Sequence, residues 1–164
     1  MKARMESWRR FWRLKSAERR VLLEAAAALA ATWAGLRVVG FRRWNSVIER
    51  LAFVKTGSAY PDHASHVDAS NVDVASGVAT KLDLAARHLF FRTNCLERSL
   101  ALLWLLRRRG SAATLRIGAR KESGLFEAHA WIELDGMVLN DPGEAHLHFA
   151  PFDGEITLLE TQAR

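Results

Sequence analysis

The stretch from Arg92 to Pro142 constrains this chain most, because it holds a long apolar helix with both ends written into the sequence. The run Cys95-Leu-Glu-Arg-Ser-Leu-Ala-Leu-Leu-Trp-Leu-Leu-Arg-Arg-Arg109 is strongly helical and stops at Gly110. Asn94 is a helix-capping residue, and Glu97, three positions on, is placed to reach back in a variant of the capping box. Gly110 supplies the left-handed residue that closes a helix, and Arg107, Arg108 and Arg109 put positive charge at the negative end of its dipole. Leu96, Leu100, Leu103 and Leu106 recur at helical spacing, which predicts one buried face.

Cys95, the only cysteine, falls in the first turn of that helix, where the positive end of the dipole favours a thiolate. A lone cysteine is also a small hydrophobe that cores readily bury, so its context must decide between the two roles. Downstream, Ala128-His-Ala-Trp-Ile-Glu-Leu134 alternates in the two-residue period of a strand, Asp135-Gly136 reads as a turn, and Met137 to Asp141 returns. His129 is therefore the candidate base for the Cys95 proton, and Asp141 the candidate carboxylate behind the imidazole. A strict two-residue loop would put Asp141 on the face opposite His129, so a bulged or longer turn is expected, or an Asp141 that lies past the regular pairing. Asp135 and Glu133 are rival carboxylates. The plainer alternatives are a core histidine at 129 and a turn opener at Asp141-Pro142.

Five blocks in order, Asn94-Cys-Leu-Glu-Arg-Ser-Leu-Ala-Leu, Leu105-Leu-Arg-Arg-Arg-Gly110, Leu115-Arg-Ile-Gly-Ala-Arg-Lys121, Phe126-Glu-Ala-His-Ala-Trp-Ile-Glu133 and Leu139-Asn-Asp141, resemble the leader peptidases of lasso-peptide biosynthesis. These are transglutaminase-like, papain-like cysteine proteases of bacteria. The resemblance covers roughly the last half of the chain. It implies a Cys95, His129, Asp141 triad, a ribosomally made leader-core precursor as substrate, a separate leader-recognition protein and an ATP-dependent lasso cyclase as partners. The amino-terminal part is too short for a fused recognition domain plus linker, so the peptidase-only form is expected. The same triad would serve a transglutaminase-type acyl transferase, and the same fold a catalytically silent peptide-binding module.

At 164 residues, with 49% apolar and 26% charged residues, one structural domain with a real core is expected. It divides into a basic amino-terminal helical segment, residues 1–55, packing on the core, an irregular loop, 56–76, and the peptidase core, 77–164. Within these, Ser16-Ala-Glu-Arg19 resembles a helix start, and Leu22, Ala26, Leu29, Trp33 and Leu36 form a helical stripe. Further helices are expected over Trp44–Lys55 and Val78–Phe90. Three antiparallel strands, one of them Thr114–Arg120, should then pack on the Cys95 helix. Phe149-Ala-Pro-Phe152 and Ile156-Leu-Leu159 form a tail suited to an edge strand or to closing the site. Helices first and a small sheet afterwards make the class α+β, a papain-like, transglutaminase-like arrangement with a nucleophile-bearing helix on a small antiparallel sheet.

Residues 1–20 carry eight Lys or Arg against Glu6 and Glu18, which accounts for the whole net charge of +6. No nucleic-acid motif accompanies that charge, so nucleic acid is not expected. A solvated helix face is the commoner explanation of such charge, and peripheral membrane contact or partner docking is the use open to a basic amphipathic helix. A secretory signal or membrane span is rejected, because Glu24 and Arg37 interrupt the apolar run. His63 and His66 with Asp62 and Asp68 fit no zinc spacing, and His146 and His148 are read likewise as exposed loop histidines, so no metal and no cofactor is expected. One cysteine fits a reducing cytoplasm.

Overall fold

Helix α1 (Ser16–Val38) begins where the sequence marks it, and the Glu18 carboxylate takes the Lys15 backbone N–H at 3.4 Å. The computed structural model describes residues 15–56, 69–122, 124–141 and 143–152. The basic stretch before Lys15, the histidines at 63 and 66, and the Ile156–Leu159 tail lie outside these residues. The buried stripe of α1 is Ala25, Ala28, Leu29, Thr32 and Gly35, turned from the expected one toward its smallest side chains. Close packing is the reason. The Trp44 indole of the next helix lies where a Cβ on Gly35 would be, 2.3 Å away.

By length and composition alone α1 is apolar enough to cross a bilayer, its most apolar 18-residue window averaging a hydropathy of 1.5, despite Glu24 and Arg37. Both charges are nonetheless tied into the fold, Glu24 to Arg109 at 2.5 Å and Arg37 to Glu97 at 2.8 Å. The small-residue stripe packs against the third and fourth helices.

Helix α2 (Gly40–Thr56) starts before the expected Trp44, and α3 (Ala69–His88) starts well before Val78, so residues 69–76 are helical rather than irregular. Val72, Ala75, Val78, Ala79, Leu82, Ala85 and Ala86 make the buried face of α3, at the three- and four-residue spacing of a helix against a core. Helix α4 (Cys95–Arg107) lies among the other three helices on one side and the sheet on the other. It is therefore buried nearly all round. Ala101, Leu102 and Leu105 are covered together with the predicted Leu100, Leu103 and Leu106, where amphipathic spacing alone suggested a single face. Gly110, with φ +80°, closes its end, and Arg109 Nη1 donates to the Leu105 carbonyl at 2.8 Å.

Four antiparallel strands follow, β1 (Thr114–Glu122), β2 (Leu125–Leu134), β3 (Met137–Val138) and β4 (Ala150–Pro151), in the order β3-β2-β1-β4. The long β1–β2 ladder runs from Thr114 opposite Glu133 to Glu122 opposite Leu125. Among the described residues, four helices ahead of one antiparallel sheet confirm the α+β class. Residues 149–152 of that tail supply the edge strand expected of it, since Ala150 and Pro151 pair with Ala119 and Gly118 while Phe149 lies over the sheet. Gly118 makes that possible. A Cβ there would stand 2.9 Å from Phe149 Cβ and 3.0 Å from both the Ala150 carbonyl and the Trp131 ring. Gly118→Ala is expected to cost about 1–3 kcal/mol by overpacking, read as a lowered urea midpoint.

Candidate active site

Cys95 opens α4 behind a complete capping box: Asn94 Oδ1 takes the Glu97 N–H at 2.8 Å and the Glu97 carboxylate takes the Asn94 N–H at 2.9 Å. Glu97 is almost fully buried, and its other oxygen accepts from Arg37 of α1 at 2.8 Å, which neutralises it there. The half-buried thiol is thus carried on a helix start held by three residues from two helices.

The turn between β2 and β3 is the strict two-residue form, Leu134 opposite Met137, with Asp135 at φ +50° and Gly136 at φ +78°. The bulged turn is therefore overturned, and the other branch of the expectation holds: Asp141 lies past the regular pairing. Strand β3 stops at Val138 because the ladder is handed over to side chains. Leu139 N–H still donates to the Ile132 carbonyl at 3.0 Å, but the Ile132 N–H is then taken by Asn140 Oδ1 at 2.8 Å, in place of a strand carbonyl. One step further along the same edge, the Ala130 carbonyl accepts from Ser99 Oγ of α4 at 2.9 Å, and Ser99 Oγ accepts from Asn140 Nδ2 at 2.8 Å.

This clasp registers the three segments that carry the candidate residues. Cys95 lies one helical turn before Ser99 on the same side of α4, His129 precedes Ala130, and Asp141 follows Asn140. With the chain released from the sheet, Asp141 turns back to His129, whose Nε2 lies 2.9 Å from Asp141 Oδ1. The structure thus joins imidazole to carboxylate directly. Among the described residues the Cys95 thiol is hydrogen-bonded to neither, and the helix that carries it packs on β2.

Burial alone would raise the Asp141 carboxyl, whose side chain is only 2% exposed, yet bonds from the His146 backbone, the His146 ring and His129 outweigh it and hold Asp141 below the usual aspartate range. An ionised carboxylate only accepts, so Nε2 of His129 carries the proton of that bond and Nδ1 is turned away from Asp141. Trp131 stacks near the imidazole, ring centres 5.9 Å apart, and Phe149 covers it at 5.2 Å. Neither rival carboxylate occupies that place. Glu133 is bound to Trp131 Nε1 and Arg116 Nε, both at 2.9 Å, and Asp135 is used by the turn.

His146 was read from sequence as an exposed loop histidine, and that is corrected here: its backbone N–H and its Nδ1 both meet Asp141 Oδ2, at 2.5 and 2.7 Å. No local pattern marks it, because the contact depends on a reversal at Gly143 and Glu144. His148 is exposed, as expected.

A family model described as the transglutaminase-like superfamily matches residues 35–152. The chain belongs to the transglutaminase-like superfamily. Its α+β fold is that of this superfamily, which includes cysteine peptidases and acyltransferases. No curated protein and no solved structure matches this transglutaminase-like chain.

Two predictions follow from the geometry. Ser99→Ala strands the Ala130 carbonyl and the Asn140 amide inside the protein and should cost about 1–3 kcal/mol in urea unfolding. Because the folded carboxyl of Asp141 is depressed, it adds stability that is complete above the ordinary aspartate value of 3.8 and fades as the pH falls through its folded value. The stability gap between wild type and Asp141→Asn should therefore narrow on acidification from about pH 5 to about pH 2.

Proposed function

We propose that this protein is a cysteine peptidase that removes the leader from a ribosomally made lasso-peptide precursor. The observation that carries the proposal is the His129–Asp141 pair, formed where β3 leaves the sheet, on a chain whose single cysteine opens the helix clasped to the same strand. Membership of a superfamily usually built on cysteine enzymes supports the chemistry. The five sequence blocks around Cys95, His129 and Asp141 support the substrate class.

In the mechanism, Nδ1 of His129 takes the Cys95 proton and Sγ attacks the scissile carbonyl. The capping box occupies the Glu97 N–H, and the Asn94 carbonyl takes the Arg98 N–H. The Cys95 N–H at the head of the helix then serves the oxyanion. His129 next protonates the leaving amine, which departs with one half of the precursor. Water, deprotonated by His129, resolves the thioester and restores the thiol. Asp141 keeps the imidazole in one tautomer and balances its charge when protonated. Trp131 and Phe149 confine the ring to that orientation.

In this proposal the partners are the leader-core precursor, a separate leader-recognition protein and an ATP-dependent cyclase, and the reaction takes place in the cytoplasm. The full chain, incubated with a candidate precursor and its leader-recognition protein and followed by mass spectrometry, should release free leader. Cys95→Ala and His129→Ala should abolish release with the fold intact, and Asp141→Asn should slow it by about 10²- to 10⁴-fold. Equal cleavage by Cys95→Ala would exclude the mechanism. Transfer of the acyl group to an added amine in place of hydrolysis would mark an acyltransferase, and neither product a binding module.

A further inference from the structure

We propose that His146 is a positioning residue of this site, clamping the second oxygen of Asp141 so that the first stays in line with His129. The inference rests on the Cys95, His129, Asp141 reading above and adds a fourth member to it.

The two oxygens of Asp141 are divided between two histidines. Oδ1 faces His129 Nε2 at 2.9 Å, while Oδ2 takes both the main-chain N–H of His146 at 2.5 Å and its Nδ1 at 2.7 Å. A carboxylate turns easily about its last bond, because that torsion is broad. Two donors from one residue on the far oxygen remove that freedom. Water is a poor substitute, since the Asp141 side chain is 2% exposed. Nδ1 of His146 must carry a proton for this, which assigns its tautomer as the bond from Nε2 assigns that of His129.

The backbone is shaped to deliver this residue. Gly143 has φ +88° and Glu144 φ +57°, and the single 3₁₀ turn Ala145–His148 then brings the chain back to Asp141. A left-handed backbone at a non-glycine residue is uncommon, and here it accompanies the return of His146. The two imidazoles also share a wall, with the Trp131 ring 5.8 Å from His146 and 5.9 Å from His129.

The charge on Asp141 depends on this arrangement. Burial raises the carboxyl, and the two His146 bonds are the largest of the interactions that bring it down, ahead of those from His129. Other titratable or charged groups around the pair are His129 and Glu133 of β2, Arg116 of β1 held on Glu133, and Glu144 and His148 of the same segment. With the His146 imidazole removed, only the main-chain N–H of residue 146 and His129 are left to oppose burial.

Because Cys95 is the only thiol, its alkylation by iodoacetamide reports this relay in the full chain without a substrate. Wild type, His146→Ala, His146→Gln, Asp141→Asn, His129→Ala and His148→Ala would be compared from pH 5 to pH 9, with the carboxyl ¹³C shift of Asp141 titrated in parallel. His146→Ala should move the acid limb of alkylation to higher pH, lose about tenfold in rate at pH 6 and raise the titration of Asp141. His146→Gln, which keeps a side-chain donor, should restore most of both, and His148→Ala should match wild type. A folded His146→Ala with the wild-type alkylation profile and an unmoved Asp141 titration overturns the proposal. Should His146→Ala fail to fold, a His146→Gln that folds but behaves as Asp141→Asn overturns it instead. A wild-type profile already that of an ordinary thiol, unchanged by His129→Ala, sinks the triad reading and this proposal with it.

Discussion

One buried hydroxyl ties three segments of the fold together. Ser99 Oγ donates to the Ala130 carbonyl and accepts from the Asn140 amide, so it touches at once the helix of Cys95, the strand of His129 and the segment of Asp141. An unmet polar group in such a place is costly, and each of the three segments has one that only the others satisfy. The segments therefore have few arrangements open to them. Strand pairing does not supply this registration, because β3 is only two residues long and ends before the candidate carboxylate.

Asp141 gains its orientation from what β3 gives up. A strand continued to Asp141 in the observed register would have pointed its side chain to the face opposite His129. Asn140 ends the ladder without leaving the Ile132 amide bare, and the freed chain rotates the carboxylate toward the imidazole. Gly118 belongs to the same construction on the neighbouring strand, directly opposite His129. With no side chain of its own it lets Phe149 and Trp131 lie close over β1, where they wall the imidazole.

Helix α1 reaches the start of α4 by a different route. Its composition suits a membrane, but Arg37 near its end is laid over Trp33, 4.2 Å from the ring centre, and bonded to the buried Glu97 that caps α4. The carboxylate is thereby satisfied twice, by a backbone amide within its own helix start and by a cation from another helix. Helix α1 is in this way coupled to the cap beneath Cys95.

What the sequence determined by itself was local. The cap at Asn94 and Glu97, the glycine stop at Gly110, the β2 strand with its Asp135-Gly136 turn, and the pairing of His129 with Asp141 as candidates all rest on neighbouring residues, whose propensities and spacing survive in isolation. Tertiary structure decided the rest. Which side of α1 is buried depended on how closely Trp44 approaches Gly35, and α4 is covered all round because helices and sheet meet on it. Ser99 and His146 had no signal along the chain, since a hydroxyl inside a leucine-rich helix and a histidine after a glycine turn acquire meaning only from the groups that distant segments bring to them. Spacing reports what one element buries. Which polar group meets which is settled only when elements pack, because a buried donor or acceptor must find its partner wherever the fold supplies one.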